Sequence, residues 1–291
     1  MNGPLDKFAE NRRRIWSIAY RMLGSRADAD DAVQEAWLRW NGTRQGEIRS
    51  PQAWLVTATT RICIDRLKSL RAERERYTGP WLPEPIVDEA ASPDHAVELA
   101  SELSVALLAL LERLAPEERA AFLLHEMFES DYRDIAQILG KSEAACRQIV
   151  SRASRRVRAE RPRMVVSEQA KRNLLDAFTT ALQNQDQRAL LKLLAPDSAW
   201  TSDGGGKARA MRRVLRGADK LAKFGANIFR KYIGDLTFKA VIVNGEPGHA
   251  VFYKGELFSV TTFRTDGQRI LDVFTVMNPD KLRQVSLSAG Q

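Results

Sequence analysis

The stretch Tyr132–Arg158, YRDIAQILGKSEAACRQIVSRASRRVR, restricts the fold more than any other part of the chain. Ile135, Ile138 and Leu139 recur at helical spacing, and Gly140 follows where a helix stops. Ser142 is placed as the N-cap of a second helix. In that helix Ala145, Ile149 and Ala153 form the expected inner stripe. Arg147, Gln148, Ser151, Arg152, Arg155 and Arg156 fall elsewhere on its surface. Two short helices joined by a tight turn make a helix-turn-helix, whose second helix enters the major groove of DNA. An ordinary amphipathic hairpin with a solvated Arg face has the same pattern, so the rest of the chain must decide.

Length and charge narrow the choice. The 291 residues suffice for two or three compact domains. No apolar run approaches the ~20 residues needed to span a bilayer, and a signal-peptide pattern is missing, so a cytoplasmic location is expected. Cys63 and Cys146 are expected as buried, unpaired thiols, and three histidines without paired spacing predict neither a metal nor another cofactor. The net charge of +8 favours polyanionic partners. It is strongly segregated: residues 147–163 hold seven Arg against Glu160, residues 84–131 hold twelve acids against Arg113 and Arg119, and residues 207–231 hold nine bases against Asp219. Segments of opposite sign suggest docking of 207–231 on 84–131, which salt would weaken.

Residues 8–71 read as three or four helices, with Pro51 at a helix start. Prolines from Gly79 to Pro93 predict an extended linker. Helical periodicity returns over 95–113 and 116–129, and two more helices are expected over 167–194. The segments TFKAVIV, HAVFYKG, LFSVTTF and ILDVFTVM alternate at period two, broken at Asn244-Gly245, Lys254-Gly255 and Asp266-Gly267, so four strands joined by tight hairpins follow. The fold class expected is multi-domain, two all-α domains and then an α+β domain with a curved antiparallel sheet.

Two faces resist a purely structural reading. On the helix from Asp28, the side opposite Val33, Ala36, Trp37 and Trp40 carries Asp31, Gln34, Glu35 and Leu38, an acidic and amide face with an exposed leucine. A solvated helix and a docking face for a basic partner both fit it. On the next helix Arg61, Arg66, Lys68 and Arg71 follow Trp54, with Tyr77 closing the run. Cations near aromatics suit unstacked bases, and a locally paired solvated face fits as well.

Taken together, ADADDAVQEAWLRW, SPQAWLVTATTRICIDRLKSLR and LAPEERAAFLLHEMFESDYRDIAQILGKSEAACRQIVSRASRRVR resemble an extracytoplasmic-function (ECF) sigma factor of bacterial RNA polymerase, although Ile62 stands where many members have Asn. The resemblance implies that Asp31, Gln34, Glu35 and Leu38 meet core polymerase. It places Arg61, Arg66, Lys68 and Arg71 near the −10 element, with residues Asn41 to Ser50 trapping an extruded base. It assigns Arg147, Gln148, Ser151, Arg152, Arg155 and Arg156 to the −35 element. Three further strings, Trp81-Leu82-Pro83-Glu84-Pro85, Asp203-Gly204-Gly205-Gly206-Lys207 and Asn278-Pro279-Asp280-Lys281-Leu282, resemble the subgroup with a fused SnoaL-like domain, and imply a tail that regulates in cis through the linker. The expected division is 1–78 for polymerase and −10 binding, 79–94 as linker, 95–163 for −35 binding and 167–291 as the SnoaL-like regulator. The expected activity is promoter-directed transcription initiation without catalysis, with core RNA polymerase and promoter DNA as partners and no membrane. A SnoaL-like cone also offers a place for a small ligand, and Asp203, His249 and Asp272 are the acid or base candidates were it an enzyme. The competing reading is a helix-turn-helix regulator with a ligand-binding C-terminal domain.

Overall fold

The computed structural model describes residues 3–44, 48–89, 104–159, 166–228, 230 and 235–287. The chain divides into two compact units, one formed by residues 1–76 and 108–161, the other by residues 77–107 and 162–291.

The first unit is helical. Helix α1 (Pro4–Leu23) ends where Gly24 takes the left-handed conformation, φ 68°, which glycine adopts without Cβ strain. Ser25 then caps α2 (Arg26–Asn41) through the Asp28 amide, and Ser50 caps α3 (Pro51–Glu75) through the Ala53 amide. Ile15, Ile18, Met22, Ala36, Trp40, Leu55 and Cys63 are almost fully buried between these helices. Helices α4 (Val105–Leu111), α5 (Pro116–Glu126), α6 (Tyr132–Leu139) and α7 (Glu143–Ala159) follow. The expected helix over 95–113 is described from Val105 onward, and residues 90–103 lie outside the described residues.

Helices α6 and α7 are the expected helix-turn-helix. Gly140 is left-handed at φ 64°, and Ser142 Oγ accepts from the Ala145 amide at 3.2 Å. The inner stripe is displaced by one residue from the sequence expectation. Cys146, Val150, Ala153 and Val157 are buried, while Ala145 and Ile149 are half-buried. The four-residue steps expected from Ala145 and those observed from Cys146 differ by one residue, a turn of ~100° about the axis, and both stripes contain Ala153.

Four elements of the unit are pinned by one ionic cluster. Glu112 accepts from Arg119 at 2.6 Å and from Arg74, while Arg119 also donates to the Met22 carbonyl at 2.5 Å and Arg74 to the Leu23 carbonyl at 2.9 Å. The two carbonyls at the end of α1 have no further turn to bond, so the guanidinium groups serve as its C-cap. Burial lowers the pKa of Arg119 to about 9; burial and then the neighbouring Arg119 charge lower that of Arg74 to about 10.

The second unit is α+β. Strand β1 (Val87–Glu89) comes from the proline-rich segment. It is followed by helices α8 (Glu168–Gln183) and α9 (Gln187–Leu193), strands β2 (Leu194–Asp203) and β3 (Leu215–Arg216), and helix α10 (Ala218–Ile228). Strands β4 (Leu236–Val243), β5 (Glu246–Tyr253), β6 (Glu256–Thr265) and β7 (Ile270–Val276) and the single turn α11 (Pro279–Leu282) complete it. Among the described residues the sheet runs β1-β4-β5-β6-β7-β2-β3. The four expected strands are β4 to β7. Asn244 and Gly245 have φ of 51° and 79°, Lys254 and Gly255 52° and 84°, the double positive φ that matches the twist of a two-residue hairpin.

The sequence pattern did not reveal β1, β2, β3 or α10. Strand β2 pairs parallel with β7, so the sheet is not antiparallel throughout, and its register shifts between Leu194 and Ala199, where Pro196 and Asp197 break the alternation. Phe178, Leu190, Trp200, Leu221, Ile270 and Val273 form the core under the sheet.

Candidate functional sites

The three strings beyond the helical domains meet in the second unit. Asp203, at the end of β2, has no solvent exposure. Its Oδ1 accepts from the Tyr77 hydroxyl at 2.6 Å and the Gly205 amide at 3.0 Å; its Oδ2 accepts from the Leu82 amide at 2.8 Å and Lys281 Nζ at 2.7 Å. Lys281 also donates to the Leu82 carbonyl and lies 4.0 Å from the Trp81 ring centroid and 5.2 Å from that of Tyr77. One carboxylate and one ammonium therefore hold both backbone groups of Leu82, whose side chain is 1% exposed. Burial and then the Asp203 hydrogen bond push the Tyr77 phenol above its ordinary range, so it remains a donor.

The glycines of the second string are needed for this approach. Gly205 and Gly206 have φ of 59° and 72°; a Cβ on Gly205 would collide with Asn278, and one on Gly206 would stand 3.1 Å from Thr78 Cβ. Lys207 pairs with Asp280, and Asn278 donates to Tyr77 Oη at 2.9 Å. Further along the linker, Ile86 and Asn244 exchange two hydrogen bonds of 2.8 and 3.0 Å, and Val87 to Glu89 continue as an edge strand on β4. Tyr77, which the sequence grouped with the basic run of α3, is engaged here instead.

In the first unit the face of α2 carrying Asp31, Gln34, Glu35 and Leu38 is exposed, and Leu38 retains 63% of its surface. The α3 cations are not gathered at one point. Arg61 donates to the Ile138 and Gln137 carbonyls at 3.0 and 2.8 Å, Arg66 pairs with Asp28 at 2.8 Å, Lys68 reaches Glu117 at 3.4 Å, and Arg71 pairs with Glu75 at 3.2 Å. Arg61 lines an open cleft of about 990 Å³ together with Arg39, Arg49, Trp54 and Phe128. Arg39 was not singled out from sequence, and Arg49 only as part of the loop Asn41 to Ser50, because they come from α2 and the loop before α3 and meet only in three dimensions. Of the loop from Asn41 to Ser50, residues 45–47 lie outside the described residues.

On α7, Gln148, Ser151, Arg152 and Arg155 are exposed. Arg147 pairs with Glu143 at 3.1 Å and lies over the Tyr132 ring, and Arg156 pairs with Glu118 at 3.0 Å. Exposed pairs of this kind are worth about 0–1 kcal/mol, so they yield readily to phosphate.

The enzyme candidates do not form a cluster. Asp203 is engaged as described, and Asp272 binds Arg264 with a 2.6 Å hydrogen bond. His249 is buried beside Thr179 Oγ1 at 3.2 Å, and burial lowers its pKa to about 4. Among the described residues, no group of three or more His, Cys, Asp or Glu side chains is placed to hold a metal ion, and no helix is long and apolar enough to cross a membrane.

Comparison with known proteins identifies the family. The Sigma-70 region 2 family matches residues 8–73 and the Sigma-70, region 4 family residues 104–157. The ECF RNA polymerase sigma factor SigJ of Mycobacterium tuberculosis is 36% identical, covering 95% of this chain and 92% of that protein. A probable ECF RNA polymerase sigma factor from the same species, SigI, is 31% identical and covers 96% and 95%. The crystal structure of the M. tuberculosis extracytoplasmic function sigma factor SigJ superposes with a TM-score of 0.78 at 33% identity, covering 96% of this chain and 98% of that one.

Proposed function

This chain belongs to the ECF RNA polymerase sigma factors, and from that premise we propose how its residues divide the work of promoter-directed initiation. Asp31, Gln34, Glu35 and Leu38 dock core polymerase, since an acidic face with an exposed leucine suits a basic partner surface with an apolar seat. Arg61, Arg66, Lys68 and Arg71, with Trp54 at the cleft, hold the melted −10 strand by phosphate contact and stacking. On α7, Arg147 and Gln148 near the N-terminus read base edges of the −35 element, while Ser151, Arg152, Arg155 and Arg156 fix the helix on the phosphates. Residues 1–78 and 95–163 are the two promoter-binding domains, and 167–291 is a SnoaL-like regulator. The factor works in the cytoplasm, on polymerase and promoter, without catalysis of its own.

The regulation proposed is a grip on the linker. What supports it is the Asp203–Lys281 pair, which holds Leu82 by its amide and its carbonyl. The segment between the two promoter-binding domains is thereby shortened and fixed, so their reach along DNA depends on whether the grip is closed. Run-off transcription from a cognate promoter with purified core polymerase tests both parts. Start-site selection by the full chain and altered promoter output from Leu82→Asp are expected. No selected transcript from the full chain would sink the sigma assignment; identical output from Leu82→Asp would sink the linker grip alone.

A further inference from the structure

The charge of the C-terminal unit is concentrated in one short stretch. Residues 207–223 hold seven basic side chains against Asp219, whereas residues 167–206 hold four against five acids. Arg209, Arg212, Arg213, Arg216, Lys220 and Lys223 are exposed, and among the described residues none has an acidic partner. Lys207 is paired, with Asp280.

These cations sit on a fixed edge. Met211 and Leu215 pack against the core, the Met211 amide donates to Ser202 Oγ at 3.0 Å, and Leu215–Arg216 is the terminal strand of the sheet, with Arg216 opposite Ala199. The Gly217 amide bonds the Ser198 carbonyl at 2.8 Å and leads into α10, which buries Leu221, Ala222 and Ala226 and leaves Lys220 and Lys223 outside. Of the six acids that the stretch 84–131 contributes to the first unit, four are paired within that unit. Glu112 binds Arg74 and Arg119, Glu117 binds Lys68 and Lys141, Glu118 binds Arg156, and Glu126 binds Arg158. Like charges held together on a fixed edge repel unless an anion neutralises them, and Arg is the residue best shaped for phosphate.

We propose that the edge formed by Arg209, Arg212, Arg213, Arg216, Lys220 and Lys223 binds the phosphate backbone of duplex DNA, giving this sigma factor a sequence-independent DNA contact outside its two promoter-binding domains. Duplex DNA is favoured because the same chain already carries a DNA-reading helix, so the polyanion is at hand. A lipid surface is disfavoured because the apolar face of α10 is committed to the core, leaving nothing to insert.

The test is a salt titration of the full-length chain on a duplex without promoter elements, read by fluorescence anisotropy. Each lost phosphate contact lowers the slope of log affinity against log salt by about 1. The triple variant Arg212→Gln, Arg213→Gln, Arg216→Gln should lower it by about 3, with affinity at low salt falling tenfold or more. The control Arg172→Gln, Arg188→Gln, Lys192→Gln removes the same charge from the same unit and should leave the slope near that of the parent. An unchanged slope in the first variant overturns the proposal, as does an equal fall in the control. A loss confined to binding of phosphatidylglycerol vesicles overturns it in favour of lipid. A photoreactive group at Val214, with core polymerase and promoter present, should crosslink to DNA; crosslinks only to the chain itself would assign the edge to an intramolecular acidic partner and overturn it.

Discussion

In the helical unit, Glu112, in the turn after α4, lies between Arg74 of α3 and Arg119 of α5, which are themselves anchored to the last carbonyls of α1. In the α+β unit, Asp203 lies between Lys281 and Tyr77 and spends an oxygen on the backbone of the linker. Asp203 is fully buried and Glu112 partly so, and in each case the desolvation is offset by charged or hydrogen-bonded neighbours. The difference is what the cluster holds. The first fastens helices that pack on one another; the second fastens the linker to the end of β2 and to α11. Removing one member of a buried ion pair costs about 3–5 kcal/mol. Glu112→Ala should therefore lower the unfolding free energy of the helical unit by about that amount, read from denaturant titration by tryptophan fluorescence. A loss below about 1 kcal/mol would remove the contrast at its stronger end.

Acid should separate the units as well. His249 belongs to the α+β unit and is held neutral, its pKa lowered by burial to about 4 against an ordinary value near 6.5. A depressed folded-state pKa means stability that is whole above pH 6.5 and lost as pH falls toward 4, because the unfolded chain takes up the proton first. The loss reaches on the order of 3 kcal/mol at the lower end. Thermal unfolding followed between these limits should show it, and His249→Gln should flatten the profile. An unaltered profile in that variant would assign the acid sensitivity to other groups.

Asp203→Asn sharpens the comparison directly. The amide keeps the shape of the carboxylate but leaves Lys281 without its counter-charge, and hydrogen bonds to charged groups are worth about 1.5–3 kcal/mol. Hydrogen exchange at the Leu82 amide should quicken by a factor corresponding to about 2 kcal/mol, while the unfolding of the helical unit stays where it was. If both units weaken together, linker and core are one cooperative structure and the distinction between the clusters fails.

The sequence anticipated the parts of this arrangement that depend on local spacing. The cap at Ser142, the helix start at Pro51, the hairpins at Asn244-Gly245 and Lys254-Gly255, and the exposed Leu38 all follow from residues within a turn or two of one another. Strand β2 was hidden because Pro196 and Asp197 interrupt its alternation and its parallel partner β7 lies about seventy residues on. The resemblance of the three strings placed regulation near Trp81, Asp203 and Lys281, but not the bonds among them. No spacing rule could join Tyr77 to Asp203, 126 residues apart, or indicate that Arg61 would meet the carbonyls ending α6. The segregation of charge between the basic stretch 207–231 and the acidic stretch 84–131 carries less information than a count suggests. Counting charge along the chain cannot show that Glu112, Glu117, Glu118 and Glu126 already have partners nearby.

The smallest effect tests how much of the linker grip is ring electrostatics. Lys281 Nζ stands 4.0 Å from the Trp81 centroid, within cation–π range, and the indole face is the strongest of the aromatic side chains. Trp81→Phe keeps an aromatic face and most of the apolar contact but weakens the quadrupole, so about 0.5 kcal/mol should be lost. That is a little over twofold in exchange at Leu82, well below the effect of Asp203→Asn. The Asp203 carboxylate contributes through full charge at 2.7 Å, the ring only through its quadrupole, which fixes the order of the two. If Trp81→Phe releases the linker as completely as Asp203→Asn, the ammonium is positioned by the indole first and the carboxylate second.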